Sequence, residues 1–426
     1  MSALEPEKQL YGFALPQIHV PATWTLTGLL AGLVLGWALR DVAIFQNIIE
    51  ILQPLGTLWL HGLQMTILPL MISLLVIGIA QTIATARGGL LARRTLGLFA
   101  GVLFSGAVMA AIIAPLLLNY IPIPSEALIS LQNSSISARI SVVPGVSAFF
   151  TSLVPSNVLT AASNDAILPT IVFFALFAIA ITRLPESQNT FLLRFFESIA
   201  SAMMILVGWV LALAPIGVFA LSFSVTAQTG SAAITMLAHY ILVVSAVGGV
   251  VLFAAYLLAF FAGKQSLVPF FKAMLPVHAV ALATQSSLAS LPAMLIASRK
   301  LGAKDSSAEF TLPLAVALFR ATGPAMNLAV AIYVAYLTGV ALTPMTLAAG
   351  IAVATITTLG APSLPGAISF ISSVGPIALA MGAPVAPLAI LVAVEMLPDL
   401  MRTIGNVAMD VAVTTVVDKH HHSARS

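Results

Sequence analysis

Apolar residues run through this chain for tens of positions with almost no charge among them, and the places where the runs break carry the information. The stretches 24–39, 51–84, 96–118, 167–182, 199–226 and 232–262 each read as a membrane-spanning helix, because about 20 apolar residues cross a bilayer core. Pro69, inside the second stretch, predicts a kink rather than an end. An amphiphilic, Ser-rich section at 122–156 reads as lying outside the bilayer, and a short PSNVLTAASND loop precedes the fourth span. Beyond residue 263 the pattern changes. Segment 276–298 (PVHAVALATQSSLASLPAMLIAS) has a polar centre, and segment 348–373 (AAGIAVATITTLGAPSLPGAISFISS) breaks at TTLGAPSLPG. Each is too short for two crossings and suits two half-helices meeting at a tip.

The last apolar stretch, 388–417, carries Glu395, Asp399, Arg402, Asn406 and Asp410. On one continuous helix these five fall within about 80° of one face, with Thr403 beside them. An ionisable group at bilayer depth costs about 2.5–3.5 kcal/mol on insertion scales, so such groups face a partner or a polar path. A self-paired cluster, Asp399 with Arg402, is the simpler reading. The extra carboxylates and the amide argue for a site that takes a small molecule or an ion. Interrupted hydrophobic segments in corresponding positions are the best sequence pointer to a transporter's binding site, and half-helix N-termini suit an anion.

Composition agrees. The chain is 60% hydrophobic and 7% charged, with a mean hydropathy of +1.08, where soluble domains carry about 25% charged residues. Thirteen of the 17 Lys and Arg residues lie in loops of one side if the N-terminus is cytoplasmic, and only Arg40 and Arg139 lie in loops of the other. That asymmetry predicts cytoplasmic N- and C-termini in a multi-pass protein of the cell inner membrane. The basic balance therefore does not point to nucleic acid. Residues 1–22 lack the pattern of a cleavable leader, so the first span is expected to insert by itself. With zero cysteines, disulfides and thiolate chemistry are excluded. His19, His61, His239 and His278 read as packing or interfacial residues, and His420–His422 as a solvated tail.

Several segments, in this order, resemble the dicarboxylate/amino acid:cation symporters, the glutamate-transporter family: LQMTILPLMISLLVIGIA (63–80), PSNVLTAASNDAILPTIVFFALFAIAIT (155–182), APIGVFAL (214–221), TQSSLASLP (284–292), FTLPL (310–314), LGAPSLPGA (359–367) and DLMRTIGNVAMD (399–410). The resemblance implies an all-α polytopic fold of eight transmembrane helices plus two re-entrant hairpins, a homotrimer, and a transport domain that moves like an elevator in a fixed scaffold. It divides the chain into spans 1–2 at 1–95 (scaffold), spans 3–4 at 96–184 (span 3 moving with the transport domain), spans 5–6 at 185–263, a transport core at 264–418 and a tail at 419–426.

The resemblance also implies roles. Ser286 and Ser287 fall on the first hairpin's tip, and Leu364, Pro365 and Gly366 on the substrate end of the second, which gates the site. Arg402 falls on the arginine that holds the substrate's distal carboxylate. Asp399 falls on the residue that takes its ammonium, and Thr403 and Asn406 on polar contacts. Asp410 falls on a sodium-ligand aspartate, and Asn406, Thr358, Leu359 and Ala361 complete the cation set. The implied activity is uptake of glutamate or aspartate with sodium or protons as coupling ion and no other cofactor. C4-dicarboxylates, or another amino acid such as cystine, are the alternative substrates. Asp399 favours an amino acid, because a C4-dicarboxylate brings it no positive charge.

Two stretches depart from the family. Its polar NMDGT-type sequence is replaced by LFRATGPAMN (318–327), with Phe319, Arg320 and Ala321 where Asn, Met and Asp are usual, and its Thr-Ser pair in span 3 is Phe104–Ser105. Parts of one sodium site are missing together. Arg320 is therefore expected to be a tethered cation that neutralises Asp410, the plainer reading being that it faces a cavity and adjusts the field; Glu395 reads as a proton carrier or as a plain substitute for an aspartate. An intramembrane hydrolase with Ser286 or Ser287 as nucleophile, or a passive anion pore, are the readings from other classes. The first lacks a base in reach and any hydrolase motif.

Overall fold

In a computed structural model, residues 22–39, 45–87, 89–123, 151, 154–164, 166–229, 232–359 and 366–423 are described, and every regular element among them is a helix. The order is α1 (Ala22–Ala38), α2 (Phe45–Ala86), α3 (Leu90–Tyr120), α4 (Val158–Ser163), α5 (Ile167–Ile181), α6 (Glu186–Ala212), α7 (Ala214–Thr229), α8 (Ala232–Phe261), α9 (Leu267–Thr284), α10 (Leu291–Lys300), α11 (Asp305–Leu318), α12 (Thr322–Leu337), α13 (Pro344–Leu359), α14 (Gly366–Ala380), α15 (Leu388–Leu391) and α16 (Met396–Ser423). Seven helical stretches among the described residues are long and apolar enough to cross a membrane. The chain is an all-α polytopic membrane protein.

Several hydroxyls at bilayer depth are satisfied within their own helices. Ser73 donates to Pro69 O, Thr95 to Leu91 O and Thr170 to Ala166 O, each at 2.8–2.9 Å, so these side chains need no solvent. α2 runs unbroken through Pro54 and Pro69. Arg93 and Arg94, expected in a loop, lie in the first turn or so of α3, which starts earlier than the apolar run suggests. Most of the 122–156 section lies outside the described residues. The loop before α5 contains one short helix, α4, whose Asn157 cap accepts from Leu159 N and Thr160 N at 2.9 and 3.2 Å.

The stretch expected as one span at 199–226 is two helices, α6 and α7, divided at Leu213. Pro215 explains the break: it has no N–H to donate, and its ring would collide with the carbonyl of Leu211 in a continuous helix. The division lets α7 pack along α1 while α6 packs on α2. The α1–α7 contact depends on Gly28, Gly32 and Gly36, spaced four apart on one face. A Cβ on Gly32 would meet the Ser222 hydroxyl and, at 2.7 Å, the Phe219 carbonyl, and one on Gly36 would lie 2.6 Å from the Phe223 carbonyl. Small residues let backbones approach where lipid supplies no hydrophobic drive. Trp59 of α2 is laid against Gly217 and donates its indole N–H to Val210 O at 2.8 Å.

A second body is built around α12 and α16. Of the apolar windows in Asp305–Leu337 and Met396–Lys419, 89% and 83% is buried, against 28–33% for Leu91–Tyr120, Glu186–Ala212, Ala233–Phe261 and Leu267–Thr284. The two most polar stretches are thus the two most shielded from lipid, as the cost of exposing their charges requires. α8 lies along α16, α3 along α12, and α9, α10 and α11 around α16.

Both interrupted segments form helix–break–helix pairs whose arms pack on each other, α9 with α10 and α13 with α14. In the first, Gln285 takes a left-handed conformation (φ 50°) that ends α9, and α10 opens with Pro in its first turn. Two further breaks were not foreseen. Residues 319–321 separate α11 from α12, because Pro324 would strike the carbonyl of Arg320 in a continuous helix. Residues 392–395 are turns that separate α15 from α16, with Pro398 in the first turn of α16.

Candidate functional site

The breaks decide how the charged stripe is assembled. Asp399, Arg402, Thr403, Asn406 and Asp410 share the α16 face as expected, and all five are buried. Glu395 is the last residue of the turn that leads into α16, and its backbone carbonyl accepts Asp399 N at 2.9 Å, the i+4 to i bond that opens the helix, so the spacing counted from it holds. Its side chain reaches the stripe: Glu395 Oε1 lies 2.6 Å from Arg402 Nη2.

Arg402 is the centre of the arrangement. Its Nε lies 3.2 Å from Asp399 Oδ1, and its Nη1 donates to Asn327 Oδ1 at 2.6 Å. Glu395 Oε2 in turn accepts from the hydroxyl of Tyr240 at 2.8 Å. A buried ion pair recovers its desolvation cost only when the remaining lone pairs and protons are satisfied, and here three elements besides α16 contribute to that. The simple self-paired reading of Asp399 with Arg402 is therefore correct as geometry, though it accounts for only one of three contacts. A guanidinium carries five N–H donors, and these contacts engage three of them, leaving two for a further acceptor.

The α11–α12 break is fastened to the same face. Thr322 N, which would bond Leu318 O in an unbroken helix, donates instead to Asn406 Oδ1 at 2.9 Å, and the Thr322 hydroxyl donates to the same oxygen at 2.8 Å. The amide oxygen of Asn406 thus anchors α12. Thr403 donates back to Asp399 O at 2.9 Å. One turn below Asn406, both carboxylate oxygens of Asp410 are buried without a hydrogen-bond partner. Such a carboxylate is a hard, anionic oxygen donor in a dry place, which suits a small cation or a proton.

Arg320 does not provide that charge. It sits at the break, where the charged groups acting on it are Arg402 and Asp399, and it makes no hydrogen bond to Asp410. The expected Arg320–Asp410 hydrogen-bonded pairing is therefore absent. Phe319 is buried and stacks on Phe99 at 4.3 Å between ring centroids and 9° between planes, an apolar seal on that side of the break. Phe104 is 55% exposed on α3, and the neighbouring Ser105 spends its hydroxyl on Val102 O.

The hairpins approach from either side. Ser286 and Ser287 are half-buried at the tip of the first; Ser286 Oγ accepts from Ala289 N at 3.2 Å and Ser286 O accepts from Ser290 Oγ at 2.9 Å. Both arms of that hairpin pack on α16. His278 Nε2 is buried without a partner, so no His–Ser pair of a hydrolase forms. On the second hairpin, Thr358 is buried with its hydroxyl on Ala354 O, and a Cβ on Gly323 would lie 3.1 Å from its methyl, which places the end of α13 beside the break. α13 ends at Leu359 and α14 begins at Gly366. Ala361, Leu364 and Pro365 lie outside the described residues.

Tyr240, Thr322 and Asn327 bond to the charged stripe, and the sequence reading passed over them. Asn327 was visible as the one amide in the apolar run of α12, and a polar side chain at that depth is a signal. Tyr240 gave none, since a tyrosine in an apolar helix reads as packing.

The chain matches the sodium:dicarboxylate symporter family over residues 22–420. It is 27% identical over 387 residues to the proton/glutamate-aspartate symporter of Escherichia coli, covering 88% of this chain and 86% of that protein. It is 27% identical over 432 residues to the neutral amino acid transporter A of Homo sapiens (91% and 79%), and 24% identical over 398 residues to the C4-dicarboxylate transport protein 1 of Pseudomonas aeruginosa (92% and 86%).

Proposed function

We propose, for a chain that belongs to the sodium:dicarboxylate symporter family, that the transported substrate is an acidic amino acid, glutamate or aspartate, taken up with a sodium ion or proton. Membership makes the protein a cation-coupled secondary transporter and not an enzyme. The observation that carries the substrate reading is the pairing of a buried fixed cation and a buried fixed anion three residues apart, Arg402 and Asp399. Arg402 presents its two unused N–H groups to the distal carboxylate, and Asp399 accepts the ammonium. Thr403 and Asn406 supply further polar contacts in this reading. The backbones around Ser286–Ser287 and 364–366 hold the α-carboxylate, and the second hairpin opens and closes the outer side.

Asp410 receives the coupling cation. Its orphaned oxygens support this role, and Asn406, Thr358, Leu359 and Ala361 are the further oxygen donors in this reading. The seal formed by Phe319 and Phe99 argues for fewer sodium ions than a fully polar break would bind, and Glu395 is the group that carries a proton if protons contribute. The helices α1, α2, α5, α6 and α7 serve as the scaffold of a homotrimer in the inner membrane, with both termini cytoplasmic. α3 and residues 264–418 form the moving transport core.

A C4-dicarboxylate is the second reading, favoured by Asp399 already being engaged by Arg402 Nε at 3.2 Å. Labelled L-aspartate uptake into proteoliposomes, with and without an inward sodium gradient at fixed pH, tests the proposal. Concentrative uptake that needs a sodium or proton gradient is the expected result. Accumulation that never exceeds equilibrium means a pore, and succinate uptake without aspartate uptake transfers the reading to dicarboxylates.

A further inference from the structure

We propose that Tyr240 is a positioning residue for Arg402, acting through Glu395, and that it thereby sets the affinity of the site for substrates bearing a side-chain carboxylate. The proposal rests on the reading of Arg402 as the group that receives that carboxylate.

Glu395 is the last residue of the 392–395 turn, and its carbonyl accepts Asp399 N at 2.9 Å, which sets its backbone at the start of α16 and leaves its side-chain torsions to be fixed by the partners of its carboxylate. Its two oxygens have one partner each: Oε1 meets Arg402 Nη2 at 2.6 Å and Oε2 accepts from the Tyr240 hydroxyl at 2.8 Å. The tyrosine itself is held. It is fully buried on α8, and its ring meets Tyr333 of α12 edge-on at 5.3 Å. Tyr333 is fixed in turn by donating its hydroxyl to Met236 O at 3.0 Å, one turn before Tyr240, with His239 Nδ1 3.2 Å away. The chain of support runs from a rigid aromatic pair to a carboxylate on a turn, and from that carboxylate to the arginine.

Arg402 needs that support because its side chain is long and has many rotamers. Two of its three acceptors, Asp399 and Asn327, belong to helices packed against each other. The third, Glu395, is held by a second side chain, the Tyr240 hydroxyl. A carboxylate bound through the two remaining N–H groups requires the guanidinium plane to be fixed, because the bidentate geometry is directional. Tyr240 touches no substrate in this scheme. Its hydroxyl turns Glu395 so that the guanidinium presents the same edge on each cycle.

The test is a double-mutant cycle between Tyr240→Phe and Glu395→Gln, read as the KM and maximal rate of L-aspartate uptake by the full-length protein in proteoliposomes. Tyr240→Phe keeps the ring and its contact with Tyr333 and deletes only the hydroxyl. Losing one hydrogen bond to a charged group corresponds to about tenfold in affinity. The expected result is a KM raised by about tenfold with a maximal rate within about twofold of the unchanged protein. In the Glu395→Gln background, the same substitution should change KM by less than about twofold, because the group through which Tyr240 acts has lost its charge. A tenfold effect that persists in that background overturns the proposal, as does a fall in maximal rate at unchanged KM, since both mean that Tyr240 merely supports the fold. Arg402→Ala separates this outcome from failure of the underlying reading: uptake at an unchanged KM in that variant refutes the role of Arg402 itself. If the protein carries succinate rather than L-aspartate, the cycle is run with succinate, whose carboxylate Arg402 holds in the same way.

Discussion

Replacing Arg402 by alanine removes a cation in contact with two buried carboxylates. Glu395 and Asp399 are 2% and 8% exposed, and both are in contact with the guanidinium. The substitution leaves Glu395 with the Tyr240 hydroxyl alone, and leaves the oxygen of Asn327 without its donor. Removing one partner of a buried ion pair costs about 3–5 kcal/mol, because the charge left behind is uncompensated. That is a large part of the stability of a typical domain, about 5–15 kcal/mol. Arg402→Ala should therefore unfold at a clearly lower temperature than the unchanged protein, followed by tryptophan fluorescence in detergent or nanodiscs, and should take up no acidic substrate.

A companion variant isolates the cause. Arg402→Ala combined with Glu395→Gln removes one of the stranded charges and should recover about 1–3 kcal/mol of the loss, while transport stays absent. Two results refute the reasoning: a melting temperature for Arg402→Ala equal to that of the unchanged protein, or one lowered further by adding Glu395→Gln. The first means that solvent reaches the cluster. The second means that Glu395 stabilises the fold by something other than its contact with Arg402.

Three further outcomes are expected. Asp399→Ala should impair L-aspartate uptake by at least about tenfold more than succinate uptake, since only the amino acid brings an ammonium to that carboxylate; equal losses for both refute its assignment. Asp410→Asn should abolish the response to the coupling-cation gradient while leaving exchange of internal for external substrate measurable, and an unchanged cation dependence places the cation elsewhere. Gly32→Leu should destabilise the α1–α7 contact by about 1–3 kcal/mol, the usual cost of overpacking a close interface; a melting temperature unaltered by it means that the two helices separate without consequence for the fold.

The hydropathy pattern alone was enough to establish a membrane protein, the two helix–break–helix hairpins and the α16 face, because bilayer insertion penalises every stray charge and so writes depth directly into residue type. Asp399, Arg402, Asn406 and Asp410 were identifiable for the same reason. Proline marked two of the helix breaks, at Pro215 and Pro324, yet their consequences could not be read from it. Only the folded chain shows that the 319–321 break sends Thr322 N to Asn406, that the Asp410 carboxylate is left without a hydrogen-bond partner, and that Phe319 closes against Phe99. Glu395 is the sharpest case. Its place on the stripe was legible from the helical spacing, but its bonds to Arg402 and to Tyr240 were not. Tyr240 is 155 residues away from Glu395 in the chain and carries no charge, so nothing local marks it. Insertion energy acts on each residue separately and is legible one position at a time, whereas a hydrogen bond between distant elements exists only once packing has fixed both ends.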